Sequence, residues 1–168
     1  MSLRSHRSCY DEGKRAAEVL CYDYQKTYGI DVKVARVFNS YGPGMREDDG
    51  RTIPTFISQA LSDRPITIYG DGYQTRSFTF IEDTIRDLRT LMNSKETRPV
   101  NIGSTEEASI RQVAEMIADL TRLKSTIEHL PTQEEPKKRK PDITRALALG
   151  CSPRIDLFSG VKRTLTVR

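Results

Sequence analysis

The chain has 168 residues, 36% hydrophobic and 30% charged, with 10 Gly and 8 Pro scattered along it. That length suits one ordinary domain, and the composition excludes collagen-like, low-complexity and disordered classes. The net charge of +4, from 27 basic and 23 acidic residues, suits an anionic partner without saying which one. Three cysteines (Cys9, Cys21, Cys151) form no CxxC pair and there are two histidines, so neither a disulfide framework nor a metal centre is expected. No window approaches the roughly 18 apolar residues of a membrane span. Residues 1–8 are basic without an apolar segment and do not read as a secretory signal. The expectation is a soluble chain of a reducing, cytoplasmic compartment.

Residues 10–28 carry Ala16, Ala17, Leu20, Cys21 and Tyr24 at three- and four-residue intervals, which predicts a helix ended by Gly29. Tyr22, Tyr24 and Phe38 read as packing residues. Residues 31–38 are rich in β-branched side chains and predict a strand, with an exposed edge, broken by 41–44. A helix follows over 52–61, with Pro54 in its first turn, then a strand over 66–69 in which Tyr69 reads as core. Gly70-Asp71-Gly72 ends that strand; 76–81 predicts another, 82–92 a helix and 100–103 a short strand. Ser109 and Gln112 form a capping box before an amphipathic helix carrying Ile110, Val113, Ala114 and Ile117. A last strand over 126–130 precedes a charged linker at 131–141. Asp142 then caps a short helix from Ile143, and a final helix starts near Leu157. Strands alternating with helices predict an α/β fold with a partly parallel sheet.

Tyr10 and Lys14 stand four apart and share a helix face, where a lysine ammonium favours the ionised phenol of a proton-transferring tyrosine. Such a pair also arises on helices with no catalytic role. Here it heads an ordered series: Tyr10-Asp11-Glu12-Gly13-Lys14-Arg15, then Arg36-Val37-Phe38-Asn39-Ser40-Tyr41-Gly42-Pro43, then Asp49-Gly50-Arg51. Residues 68–78, including Gly70, Gly72 and Arg76, follow, and Arg139-Lys140-Pro141-Asp142-Ile143 closes it.

This series resembles the extended short-chain dehydrogenase/reductases that act on nucleotide sugars, and its wording looks most like their UDP-glucuronate decarboxylase (UDP-xylose synthase) branch. The resemblance implies the C-terminal portion of a Rossmann-type fold plus a small mixed substrate-binding domain. Residues 1–44 would be the remnant of the NAD-binding domain, and 45–168 mostly the substrate-binding domain, with 76–104 returning to the Rossmann sheet. It implies catalytic roles for Tyr10 and Lys14, which would also hold NAD together with Ser40 and Arg51. Asn39, Arg76 and Arg139 would bind the UDP-sugar, the arginines as forks for phosphate or carboxylate oxygens. The implied reaction is NAD-dependent decarboxylation of UDP-glucuronate to UDP-xylose through a 4-keto intermediate. The alternatives within the class are 4-epimerase and 4,6-dehydratase.

The family's Gly-rich turn, which cradles the NAD pyrophosphate, does not occur here: no G-x-G-x-x-G or G-x-x-G-x-x-G is present. This chain alone is therefore expected to be inactive and to bind no NAD. Glu134-Glu135-Pro136 and Cys151 also depart from the family's pattern. A different class of reading is a non-catalytic module that homodimerises through the 10–28 helix. Lys137 to Lys140 form a basic run, but with no aromatic platform beside it no nucleic-acid partner is expected. For a longer parent the resemblance also admits the Golgi lumen.

Overall fold

In the computed structural model, residues 8–121, 125–132 and 138–166 are described. Expectations for residues 1–7, 133–137 and 167–168, including Glu134, Glu135 and Lys137, lie outside them. Six helices run α1 (Ser8–Tyr28), α2 (Thr52–Leu61), α3 (Ile81–Met92), α4 (Ile110–Thr121), α5 (Thr144–Ala148) and α6 (Leu157–Thr166). The strands are β1 (Ala35–Val37), β2 (Ser40–Tyr41), β3 (Ile66–Tyr69), β4 (Thr75–Ser77), β5 (Thr79–Phe80), β6 (Val100–Ile102), β7 (Glu107–Ser109), β8 (Ile127–Leu130) and β9 (Lys138–Arg139). Among the described residues, no helix is long and apolar enough to cross a membrane.

The strands pair mostly in parallel, as alternation with helices requires: β1 with β6, β2 with β5, β3 with β8, and β4 with β9. β7 runs antiparallel to β4, which makes β4 the centre of a three-stranded sheet. β6 lies beside β1, and β5 beside β2, so 76–104 twice returns to strands formed by residues 35–41.

Two cores result. The larger gathers α2, β3, β5, α4 and α6 around Ile57, Ile66, Ile68, Phe80, Val113, Ile117 and Val161. The smaller holds Leu91, Val100, Ile102, Ile143, Ala146 and Cys151 between α3, β6 and α5. Between them, α3 buries charge. Asp83, 1% exposed, accepts the Arg154 and Ile155 amides at 2.8 and 2.9 Å and Arg86 Nη1 at 2.5 Å. Arg86 also bonds Asp87. Desolvation still leaves the Asp87 carboxyl raised above its ordinary value, against the pull of Arg86.

Several predicted elements change in extent. The 31–38 strand shrinks to β1 because its described partner is short: pairing runs from Val100 N–H on Val34 O to Phe38 N–H on Ile102 O. Pro99, which lacks an N–H, precedes that partner. The single strand expected over 76–81 is two, divided at Phe78, because Asn39 brackets the break. Its Nδ2 donates to Ser77 O at 3.0 Å, and its own carbonyl accepts from Thr79 N–H at 3.1 Å. The expected break at 41–44 starts one residue late, since Tyr41 pairs in β2 and is 2% exposed, its hydroxyl donating to Leu157 O. Part of the expected 131–141 linker is β9. The capping box at Ser109 and Gln112 forms in both directions. Asp142 is not the cap expected of it: the helix starts at Thr144 with Ile143 in the N-cap position, and the Asp142 carboxylate, one residue earlier, accepts from Thr144 N–H at 2.9 Å.

Tyr22 and Tyr24 do not pack: they are 38% and 54% exposed, and α1 buries no residue. Tyr69, expected in the core, is also exposed, because the alternation of β3 sends Ile66 and Ile68 inward instead.

Candidate functional site

A hollow lies on the larger core. It is a cavity of about 680 Å³ lined by residues of α2, β3 and β4, the Gly70–Gly72 turn, Ile110 and Thr132. That volume accommodates a nucleotide-sized ligand. Its floor is apolar, with Phe56, Ile68 and Ile110, and its walls are polar. α2 faces it with Thr52, Thr55 and Gln59; Gln59 is locked to β3 by a reciprocal pair, its Nε2 donating to Thr67 Oγ1 at 2.8 Å and its Oε1 accepting Thr67 N–H at 3.1 Å. Tyr69 and Tyr73 stand on either side of the turn at 46% and 67% exposure. Gly70 and Gly72 hold φ of +73° and +78°, the left-handed region that glycine enters without strain.

Arg76 is the cationic residue of the lining, which also carries the acidic Asp71. It is 5% exposed on the central strand, with Nη1 donating to Thr75 O at 2.8 Å. A planar fork set in a low-dielectric wall suits paired anionic oxygens. Register makes Arg139 of β9 the Cα partner of Arg76, so two arginines 63 positions apart in sequence become neighbours across one strand pair.

The other predicted site residues form a second group. Tyr10 and Lys14 share a face of α1, with Lys14 Nζ 5.5 Å from the Tyr10 ring centroid, and Tyr10 is 59% exposed. Neither lines the cavity. Asn39, two residues beyond β1, donates to the carbonyl of Ser77, the residue after Arg76. Ser40 Oγ lies 2.7 Å from Thr84 Oγ1 on α3. Arg51 heads α2 and pairs with Asp49 at 2.8 Å; it is exposed, while its neighbours Gly50 and Thr52 line the cavity.

A scan against family models matches residues 2–103 to the NAD dependent epimerase/dehydratase family. The chain belongs to that family. Among curated proteins, it is 45% identical over 161 residues to UDP-glucuronic acid decarboxylase 1 of Danio rerio, covering 95% of this chain and 38% of that one. It is likewise 45% identical over 157 residues to UDP-glucuronic acid decarboxylase 2 of Arabidopsis thaliana, covering 92% of this chain and 35% of the relative. Among solved structures, it superposes on UDP-glucuronic acid 4-epimerase from Bacillus cereus, bound to UDP-glucuronic acid and NAD. The TM-score is 0.82 at 34% identity, over 90% of this chain and 49% of that one. The fold is therefore Rossmann-type, and the chain spans about half the length of that structure and less of the curated relatives.

NAD fits the described residues only in part. Two described strands, β5 and β7, run directly into a long helix. α3 opens on Glu82 and Asp83, which repel an anion, and the first amides of α4 are closed by Ser109 and Gln112. The first junction is acidic and the second already bonded, so neither favours a pyrophosphate. The described residues thus supply the Tyr10–Lys14 pair but no phosphate cradle.

Sequence reading missed most of the cavity wall: Gln59, Thr67, Tyr69, Asp71, Tyr73 and Gln74. The signal available was two tyrosines flanking Gly70-Asp71-Gly72, a turn too tight to bury both. Arg36 grips Glu18 of α1 with Nε and Nη2 at 2.7 and 2.6 Å.

Proposed function

We propose that this chain carries the sugar-nucleotide site and the proton-transferring tyrosine of a UDP-glucuronate decarboxylase, a lyase forming UDP-xylose through a 4-keto intermediate. The observation that carries the reading is the cavity built around buried Arg76, with Arg139 as its register neighbour. The 43–46% identity to named decarboxylases across nearly the whole chain supports the branch. In this reading Arg76 and Arg139 bind the diphosphate, and Asn39 holds the β4 end of the site to the Tyr10 side. Tyr10 takes the proton from the sugar 4-hydroxyl, and Lys14, one turn on, stabilises the phenolate. Ser40 and Arg51 lie toward the cofactor. Residues 1–44 with 76–104 would belong to the NAD-binding sheet and the remainder to the substrate-binding domain, the phosphates of NAD being held by residues other than those described.

UDP-glucuronic acid 4-epimerase is the second reading, favoured by the Bacillus cereus superposition. Product analysis separates them. With NAD, and with the N-terminal half of the Danio rerio relative supplied in trans, UDP-glucuronate is expected to give UDP-xylose and carbon dioxide. Formation of UDP-galacturonate, or no conversion, counts against the decarboxylase. A homodimer through residues 10–28 is part of the proposal, supported by the exposure of Val19, Leu20 and Tyr24 on α1. Sedimentation showing a monomer at micromolar concentration would remove it.

A further inference from the structure

α1 presents an unusual problem of placement: it buries no residue, and the one apolar side chain on it that is even half-buried is the small Cys21, a weak hold on its rotation about its own axis. Most amphipathic helices are set by the stripe they bury. Here a polar contact does that work. The Glu18 carboxylate accepts two parallel bonds from Arg36 of β1, at 2.7 and 2.6 Å, in the fork geometry that fixes direction as well as distance. The pairing holds Glu18 below the ordinary carboxylate range and raises Arg36, both through that side-chain bond first. Tyr22 also lies near enough to bear on the charge of Arg36.

Tyr10, Lys14, Glu18 and Tyr22 follow one another at four-residue steps and form one stripe, drifting by about 40° per step. The chain reverses between Glu18 and Arg36 through residues 29–34, so residues before Glu18 run toward residues after Arg36. Tyr10 precedes Glu18 by about 12 Å of helix rise, and Ser40 follows Arg36 by about 13 Å of extended chain. The fork thus acts as a pivot with near-equal arms.

We infer that Glu18 and Arg36 are a positioning pair that sets the rotation of α1, holding the Tyr10–Lys14 face level with Asn39 and Ser40. Its catalytic meaning rests on the proton-transfer role proposed for Tyr10; the positioning itself does not.

The test uses spin labels at Glu12 on α1 and Arg89 on α3, both exposed, with Cys9 and Cys21 replaced by serine. The unaltered pair should give one narrow distance by pulsed dipolar spectroscopy. Glu18→Gln and Arg36→Met should each broaden or shift it while far-UV helicity stays constant. The charge-swapped double variant, Glu18→Arg with Arg36→Glu, should restore it. Distances unchanged in both single variants overturn the inference. In the complemented decarboxylation assay, each single variant should lower kcat at least tenfold with KM nearly unchanged, and the swap should recover most of it. A broadened distance with unchanged kcat also overturns it, because the pair would then be structural only. If the unaltered protein turns nothing over, the functional reading falls, and the spin-label distances still decide the positioning claim.

Discussion

α1 and α3 are both strongly charged helices, yet α1 buries nothing and α3 buries Asp83, Thr84, Asp87 and Leu91. The difference does not follow apolar content, since α1 carries Val19, Leu20 and several tyrosines on its surface. It follows what each helix is offered. α3 faces two backbone amides at Arg154 and Ile155, and these, with its own Arg86 three residues on, satisfy Asp83 inside the fold. α1 is offered one fork from Arg36. Buried charge here is a clamp between chain segments, whereas the apolar surface of α1, Val19 and Leu20 included, stays exposed.

Breaking the clamp gives the largest expected effect. Asp83→Ala strands two amides and removes one of the three partners of Arg86, which also bonds Asp87 and the Ser152 carbonyl, and should cost about 3 kcal/mol, or about 6–12 °C in Tm. Thermal melts followed by far-UV dichroism check this, and a loss under 2 °C would contradict it. Gly160→Ala comes next. A Cβ there would meet the Tyr41 hydroxyl at 2.0 Å and its ring at 2.9 Å, so Tyr41 must leave its bond to Leu157. About 1–3 kcal/mol is expected, read as a lower denaturant midpoint with unchanged slope.

Asp156 caps α6 through Ser159 N–H at 2.9 Å and Ser159 Oγ at 2.7 Å, and these bonds hold its carboxyl below the ordinary value. An acid depressed in the fold stabilises fully above its unfolded pKa of 3.8 and loses that contribution as pH falls through the lower folded value. Asp156→Ala should therefore cost about 1 kcal/mol at neutral pH, with the gap to wild type closing below about pH 4. Asp87, raised by burial, has the opposite sign: its ionised form costs stability, and protonation relieves that cost. The smallest effect belongs to α1. In dilute solution, below the concentration at which the proposed dimer forms, Leu20→Ser should change stability by under about 0.5 kcal/mol, because Leu20 is 58% exposed in the single chain. A larger loss there would contradict an exposed Leu20.

The legible parts of the fold were those with local causes. The α2 and β3 boundaries, the Ser109–Gln112 box and the start of α6 follow from periodicity and capping alone. The lengths of β1 and the split at Phe78 depended on partners distant in sequence, Val100 to Ile102 and Asn39, which no window around them contains. The site divides the same way. Tyr10 and Lys14 could be paired from spacing, and Arg76 and Arg139 named from a family series. Their adjacency across β4 and β9 is a register fact, and the aromatic mouth at Tyr69 and Tyr73 emerges only once β3 chooses its inward face.

Calorimetric titration of UDP into this chain tests the central claim most directly, since the cavity is built entirely from its own residues. Saturable binding is expected, weakened at least tenfold by Arg76→Gln and by Tyr69→Ala, each checked for an intact melt. No binding, or binding indifferent to both substitutions, would contradict a sugar-nucleotide site built around Arg76.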